Sequence, residues 1–397
     1  MPTIVIAGAL ANKPNNGGNA WAVLSWAMGF RALGFEVAFV EQIASDRCSD
    51  AEGRPCPFWD SEQLAYFCRS TEAAGLAGRV TLRCEGDDST FGMMEADLDD
   101  LARSADALVN ITGHWTLRPP FDRIARKIYL DLDPGYTQFW QAEGNPGTRM
   151  EGHDHFYTVG ENIGRPGCSI PPGDIPWMPT RQPATLGDWP ASRSGEFDRF
   201  TTVASWRGSY GPAQHGGRTF GQKAHEFRKF FDLPRLTGRR FEVALDIHPA
   251  DGKDREALAR RGWEVVDPVE AAGDLESFRR YVGSSGAEFS AAQGVYVSTC
   301  SGWSSDRTVR YLASGRPALV QDTGLGRNLP VGEGLIAFTT LEDAAEGAAR
   351  IVRDYAGHCQ AARALAESHF ESSRVIGKLC HEVGLDGLRA RSRSAGR

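Results

Sequence analysis

Apolar and polar positions follow two alternating rhythms along this chain. Short aliphatic or β-branched runs read as strands: TIVIAGAL (3–10), EVAFVE (36–41), RVTLRC (79–84), DALVNIT (106–112), KIYLDLD (127–133) and HFYTVG (155–160). Between them lie segments with helical spacing: NAWAVLSWAMGFRALG (19–34), SEQLAYFCRSTEAAG (61–75) and MMEADLDDLARSA (93–105). In the first of these Trp21, Leu24, Ser25, Met28 and Ala32 share a face, and Gly34 supplies a stop. Strand and helix in alternation predict βαβ units and a parallel sheet covered on both faces.

The rhythm breaks over 163–199, a stretch dense in Pro and Gly that carries Trp177 and Trp189. Two tryptophans argue for an ordered crossover rather than a free linker. Alternation then restarts with FTTVAS (200–205), GQKAHEFRKFFDL (221–233), FEVALDI (241–247), KDREALARRG (253–262), WEVVDP (263–268), LESFRRYVGSS (275–285) and ALVQD (318–322). AEFSAAQGVYV (287–297) reads as irregular or as a strand, and 341–383 as almost wholly helical. The expected organisation is α/β, with two Rossmann-like doubly wound domains facing across a cleft. The first spans 1–175, a crossover spans 176–199, the second domain spans 200–370, and a helix with its tail, 371–397, returns toward the first. In such sheets ligands sit beyond the carboxyl ends of the strands, at helix N-termini.

A length of 397 residues suits two domains. The net charge of −7 argues against a general nucleic-acid binder, so no nucleic acid is expected as a partner. No run reaches the ~18 apolar residues of a membrane helix, and the N-terminus lacks the basic region of a signal peptide. Eight scattered cysteines without a CxxC pair fit reduced thiols in the cytoplasm. GxxxxGK[ST], GxGxxG and GxSxG are all absent, which removes the usual signals of P-loop, dinucleotide and α/β-hydrolase chemistry. His153 and His155 have the spacing of metal ligands but no third partner nearby, so no metal is expected.

The most telling stretch is CSGWSSDRTVRYLASGRPALV (300–320). Ser304 or Ser305 can cap a helix whose first turn holds Asp306 and Arg307. Capping alone accounts for them. The alternative is an anion on the free amides, with Gly302 allowing close approach and Arg307 adding a phosphate-binding fork. Arg310 can pair with Asp306 one turn away.

RYLASGRPALV (310–320) and GALANKPNNGGNAWAVLSWAMGFRALGFEVAFVE (8–41) resemble the two matching segments of GT-B glycosyltransferases. The resemblance covers nearly the whole chain as architecture and these two segments as motif. It implies an acceptor domain followed by a nucleotide-sugar domain. Retaining members of that family often carry two glutamates eight positions apart; here those positions hold Gly302 and Arg310, so neither role carries over. Asp306 is the nearest carboxylate for the ribose.

The resemblance gives the remaining candidates their roles. Arg207, Lys223, Gly302, Ser304, Ser305, Asp306 and Arg307 would hold the donor. His114 or Asp133, each past a strand end, would take the acceptor proton. Gly17, Gly18 and Asn19, the last also a candidate N-cap, would line the cleft with Trp115 and Tyr136. Each has an ordinary structural reading beside it: cap, turn or core. The expected function is transfer of a sugar from a nucleoside diphosphate sugar, of UDP or TDP type, to a small-molecule acceptor such as a secondary metabolite. No cofactor would be required. A nucleotide-sugar epimerase or hydrolase of the same fold, or a non-catalytic binder, are the alternatives.

Overall fold

A computed structural model describes residues 1–191, 196–208 and 210–386. Residues 192–195 of the expected crossover, and the tail beyond Asp386, lie outside the described residues. The first half is built on an eight-stranded sheet. Its strands are β1 (Thr3–Ala7), β2 (Glu36–Ala44), β3 (Val80–Glu85), β4 (Thr90–Gly92), β5 (Ala107–Ile111), β6 (Lys127–Asp131), β7 (His155–Thr158) and β8 (Met178–Pro179). Their order is β4-β3-β2-β1-β5-β6-β7-β8, parallel throughout except for β4.

The second half opens with β9 (Phe200–Ser205), followed by a small hairpin of β10 (Gln214–His215) and β11 (Arg218–Thr219). Then come β12 (Phe241–Asp246), β13 (Trp263–Val266), β14 (Ala287–Ser290), β15 (Ala318–Gln321) and β16 (Leu335–Phe338). Six of these form an all-parallel sheet in the order β13-β12-β9-β14-β15-β16. Both sheets therefore reverse direction at their first strand. Each leaves a crevice at the carboxyl ends there, between β1 and β5 and between β9 and β14.

Periodicity located most elements, and three departures have local causes. The expected helix over 221–233 breaks into Lys223–Phe227 and Leu233–Thr237, because Pro234 belongs in the first turn of a new helix and not in the interior of an old one. AEFSAAQGVYV divides into β14 and a short helix, Gly294–Ser298. β8 belongs to the first sheet, so that sheet runs on to Pro179, inside the segment read as crossover.

The helix Gly17–Ala32 is buried along almost its whole length, which suits a helix apolar on nearly every face. One side meets the second half, where the Trp21 indole N–H donates to the Leu275 carbonyl over 2.8 Å. Another side meets the helix Ser372–Glu382, which follows the second domain and packs back on the first. A single apolar core runs through this junction and includes Trp21, Trp189, Phe278 and Ile376.

Candidate active site

The two crevices face each other and enclose one cleft of about 500 Å³. The first half contributes Lys13, Asn16, Gly18, Asn19, His114 and Asp133. The second contributes Lys223, Gln293, Tyr296, Ser304, Asp306 and Arg307.

Buried charges fix the loops around this cleft. Glu41, near the end of β2, is 1 % exposed. Its Oε2 accepts the amides of Leu10 and Ala11 at 2.8 Å each, and its Oε1 accepts the Asn12 amide at 2.9 Å. This holds the loop after β1 and presents Lys13. Burial pushes the Glu41 carboxyl up to about 7, against the pull of those amides. Asp131, at the end of β6, is fully buried and accepts from Thr137, Thr158, Gln138 and the Asp133 amide. It braces the turn that carries Asp133. In the second half, Arg307 Nε donates to Glu288 Oε1 at 2.7 Å, Nη1 to the Val203 carbonyl and Nη2 to Ser290 Oγ.

The titrating groups in the cleft are displaced from their ordinary values. Burial, with Lys13 and Arg149 nearby, depresses His114 to about 3 and keeps it neutral. Burial and the neighbouring Asp131 raise the Asp133 carboxyl, while Lys13 and the Tyr296 hydroxyl pull it down; that hydroxyl donates to Oδ1 over 3.3 Å. Burial and the Arg307 charge lower Lys223 to about 7. Lys13 and Lys223 are two of only six lysines in the chain. Among the described residues neither ammonium has an ion-pair partner, so two cations confront the cleft from opposite walls.

Solved structures share this arrangement. An alpha-glucosyltransferase in complex with UDP covers 97% of this chain and 100% of its own at a TM-score of 0.59 and 12% identity. AviGT4, a glycosyltransferase involved in avilamycin A biosynthesis, covers 96% and 97% at 0.51 and 12%. A glycosyltransferase from Rickettsia africae covers 96% and 97% at 0.54 and 9%. The fold is GT-B. No family model matches the sequence, and no curated protein matches it.

One expectation is corrected by these relatives. The alpha-glucosyltransferase also has structures with UDP and a 13-mer DNA containing a HMU base. The absence of a nucleic-acid partner, inferred from an acidic net charge, therefore does not stand for this architecture. Net charge sums the whole surface, whereas binding depends on the charge of one face.

The structure brings some of the sequence candidates to the cleft and turns others away. His114, Asp133, Lys223, Ser304, Asp306, Arg307, Gly18 and Asn19 line it. Ser305 caps the helix Asp306–Ala313, accepting from the Arg307 amide, and does not line the cleft. Arg207 points outward in a two-pronged pair with Asp251, at 2.7 and 2.6 Å. Trp115 packs on Phe121 in the core of the first half. Tyr136 is buried against Trp140 and Tyr210. The N-cap of the first long helix is Asn16, not Asn19, whose side chain instead donates to the Ala9 carbonyl.

Two glycines serve close approach between the halves. A Cβ on Gly17 would lie 2.2 Å from the Asp274 carbonyl oxygen. One on Gly302, at φ +75°, would lie 2.7 Å from Asn162 Cγ. Arg310 does not pair directly with Asp306. It is fully buried, donating to the Pro183 carbonyl and to Trp21 and Ser25 of the first half.

Sequence reasoning missed Lys13, Glu41 and Tyr296. Glu41 had a legible signal, a carboxylate directly after the apolar run Val37–Val40. Lys13 and Tyr296 had none. Among the described residues no three His, Cys, Asp or Glu side chains gather as a metal site, and no helix is long and apolar enough to cross a membrane.

Proposed function

We propose that the chain is a glycosyltransferase that uses a nucleoside diphosphate sugar, of UDP or TDP type, as donor. The observation that carries this reading is a pair of lysines, Lys13 and Lys223, without ion-pair partners among the described residues and facing a cleft at the switch points of both GT-B sheets. The helix N-terminus at Ser304–Asp306 adds backbone amides on the second wall. The diphosphate sits between Lys223 and that N-terminus, and Lys13 approaches it from the first half. Asp306 faces the ribose. Arg307 acts through position and field, since Glu288, Val203 and Ser290 occupy three of its five N–H donors.

As the bond from sugar to diphosphate breaks, negative charge grows on the leaving oxygen. Fixed cations and amides in a closed cleft stabilise that charge without needing a metal. Asp133 takes the acceptor proton. Its raised affinity makes it a stronger base than an ordinary carboxylate, whereas His114 is too weakly basic and serves as a neutral hydrogen-bonding wall.

Thermal-shift binding against UDP, TDP, GDP, ADP and CDP, on the parent and on Lys223→Met, tests the donor site. A shift with one of them in the parent that shrinks in the variant is the expected result. No shift with any of the five would overturn the reading.

A further inference from the structure

Behind His114 lies a second cavity, of about 200 Å³. It shares Thr112 and His114 with the main cleft, so the imidazole stands at the junction of the two. Its walls are the rings of Tyr129, Trp140 and Tyr210, with Thr137, Thr148 and Arg149. The Tyr129 hydroxyl is spent on the Thr148 carbonyl at 3.0 Å, and its ring, packed against His153, Phe156 and Trp177, borders the cavity by an edge. Tyr210 comes from the loop after β9 and meets Trp140 edge-on at 4.9 Å, so the second half closes a pocket built on the first.

Arg149 stands at the rim. Its Nη1 reaches the carbonyls of Gly113 and His114 at 3.4 and 3.2 Å, and among the described residues it has no ion-pair partner. Its other N–H donors remain for a ligand. Arg149 and Thr148 also border a wider cavity of about 610 Å³, which opens this side to solvent.

Resting on the glycosyltransferase reading, we propose that the acceptor is a small aromatic hydroxy acid. Its ring lies among Tyr129, Trp140 and Tyr210, its carboxylate meets Arg149, and its hydroxyl passes His114 into the main cleft. A volume below that of drug-sized sites suits a single ring. Aromatic walls favour a flat π-system, and a guanidinium fork suits a carboxylate. The acceptor oxygen bonds to the anomeric carbon while the bond from that carbon to the diphosphate breaks. The electron pair leaves with the nucleotide, and the hydroxyl proton goes to Asp133.

The test is calorimetric titration of the full chain, first with the nucleotide diphosphate that stabilises it, then, saturated with that nucleotide, with 4-hydroxybenzoate, phenol, 4-hydroxycyclohexanecarboxylate and a hydroxymethyluracil duplex. Hydroxybenzoate should bind at least tenfold tighter than phenol or the saturated acid. Arg149→Gln should remove most of that advantage and leave phenol and nucleotide binding unchanged. Trp140→Ala should weaken both aromatic ligands. Equal binding of the saturated acid, an Arg149→Gln variant that keeps the preference, or binding of the duplex alone would each overturn the assignment. Nucleotide binding with no aromatic acid would defeat this inference and leave the donor reading intact. Failure of every nucleotide would defeat both.

Discussion

In the first half Glu41 meets three backbone amides, while in the second Glu288 meets the guanidinium of Arg307. Both are buried glutamates that shape a wall of the same cleft. The first is neutralised by dipoles of the loop it holds, the second by a full opposite charge. A carboxylate on amides fixes a backbone. An ion pair fixes a side chain and places a net-neutral unit whose positive end faces the donor side. The difference gives one half a shaped loop that presents Lys13, and the other a rigid floor under Lys223.

The largest expected effect comes from breaking the pair. Glu288→Ala should cost about 3–5 kcal/mol in urea unfolding, because it strands the Arg307 charge. The combination Glu288→Leu with Arg307→Met should recover most of that loss. Equal destabilisation in the single and double variants would mean that packing, not charge, dominates there. Glu41→Ala should cost less, about 1–3 kcal/mol, since it strands neutral backbone amides rather than a full charge.

The two lysines sharpen the comparison at the level of binding. Lys223→Met should weaken binding of the preferred nucleotide diphosphate by roughly 10–100-fold, the range of a charge-assisted hydrogen bond. Calorimetry measures it directly. The pH dependence follows from the lowered Lys223 value of about 7. Below it the ammonium is charged and favours the diphosphate. Above it the free protein holds a neutral amine, so affinity should fall from pH 7 to 9, and Lys223→Met should flatten the profile. The same group stabilises the fold in the opposite sense. The unfolded chain binds the proton up to about 10.4, so its contribution to stability should rise between pH 7 and that value.

Adjacent glycines give a smaller and cleaner contrast. Gly17→Ala drives a methyl into the Asp274 carbonyl and should destabilise by about 1–3 kcal/mol. Gly18→Ala meets the Phe278 ring edge at 3.2 Å and Asn16 Oδ1 at 3.5 Å, and should cost less than Gly17→Ala, about 1 kcal/mol or under. Matching effects would show that the halves do not depend on this approach.

Much of the fold was legible because parallel strands buried on both faces are written as near-continuous apolar runs. β1, β2, β5, β9 and β12 all read that way. The loops after those strands were legible too, because Gly, Asn and Ser cluster where the chain turns and where helices are capped. Less of the site could be read. Trp115 and Tyr136 carry the same letters as cleft aromatics, yet their side chains turn to the core. Arg207 looked like a phosphate ligand until Asp251, more than forty positions away, claimed it. Arg310 looked like one half of a helical ion pair and proved to be a strut between the halves.

The sequence by itself determined the order of strands and helices, the two-fold repetition of a doubly wound unit and a helix capped at Ser304 or Ser305, because periodicity and caps are local properties. Only the tertiary structure decided which residues face the cleft, that Lys13 and Lys223 oppose each other across it, and that burial beside Lys13 and Arg149 lowers the His114 pKa. Those outcomes depend on burial and on charges contributed by distant segments, and both come into being only when the two sheets face each other.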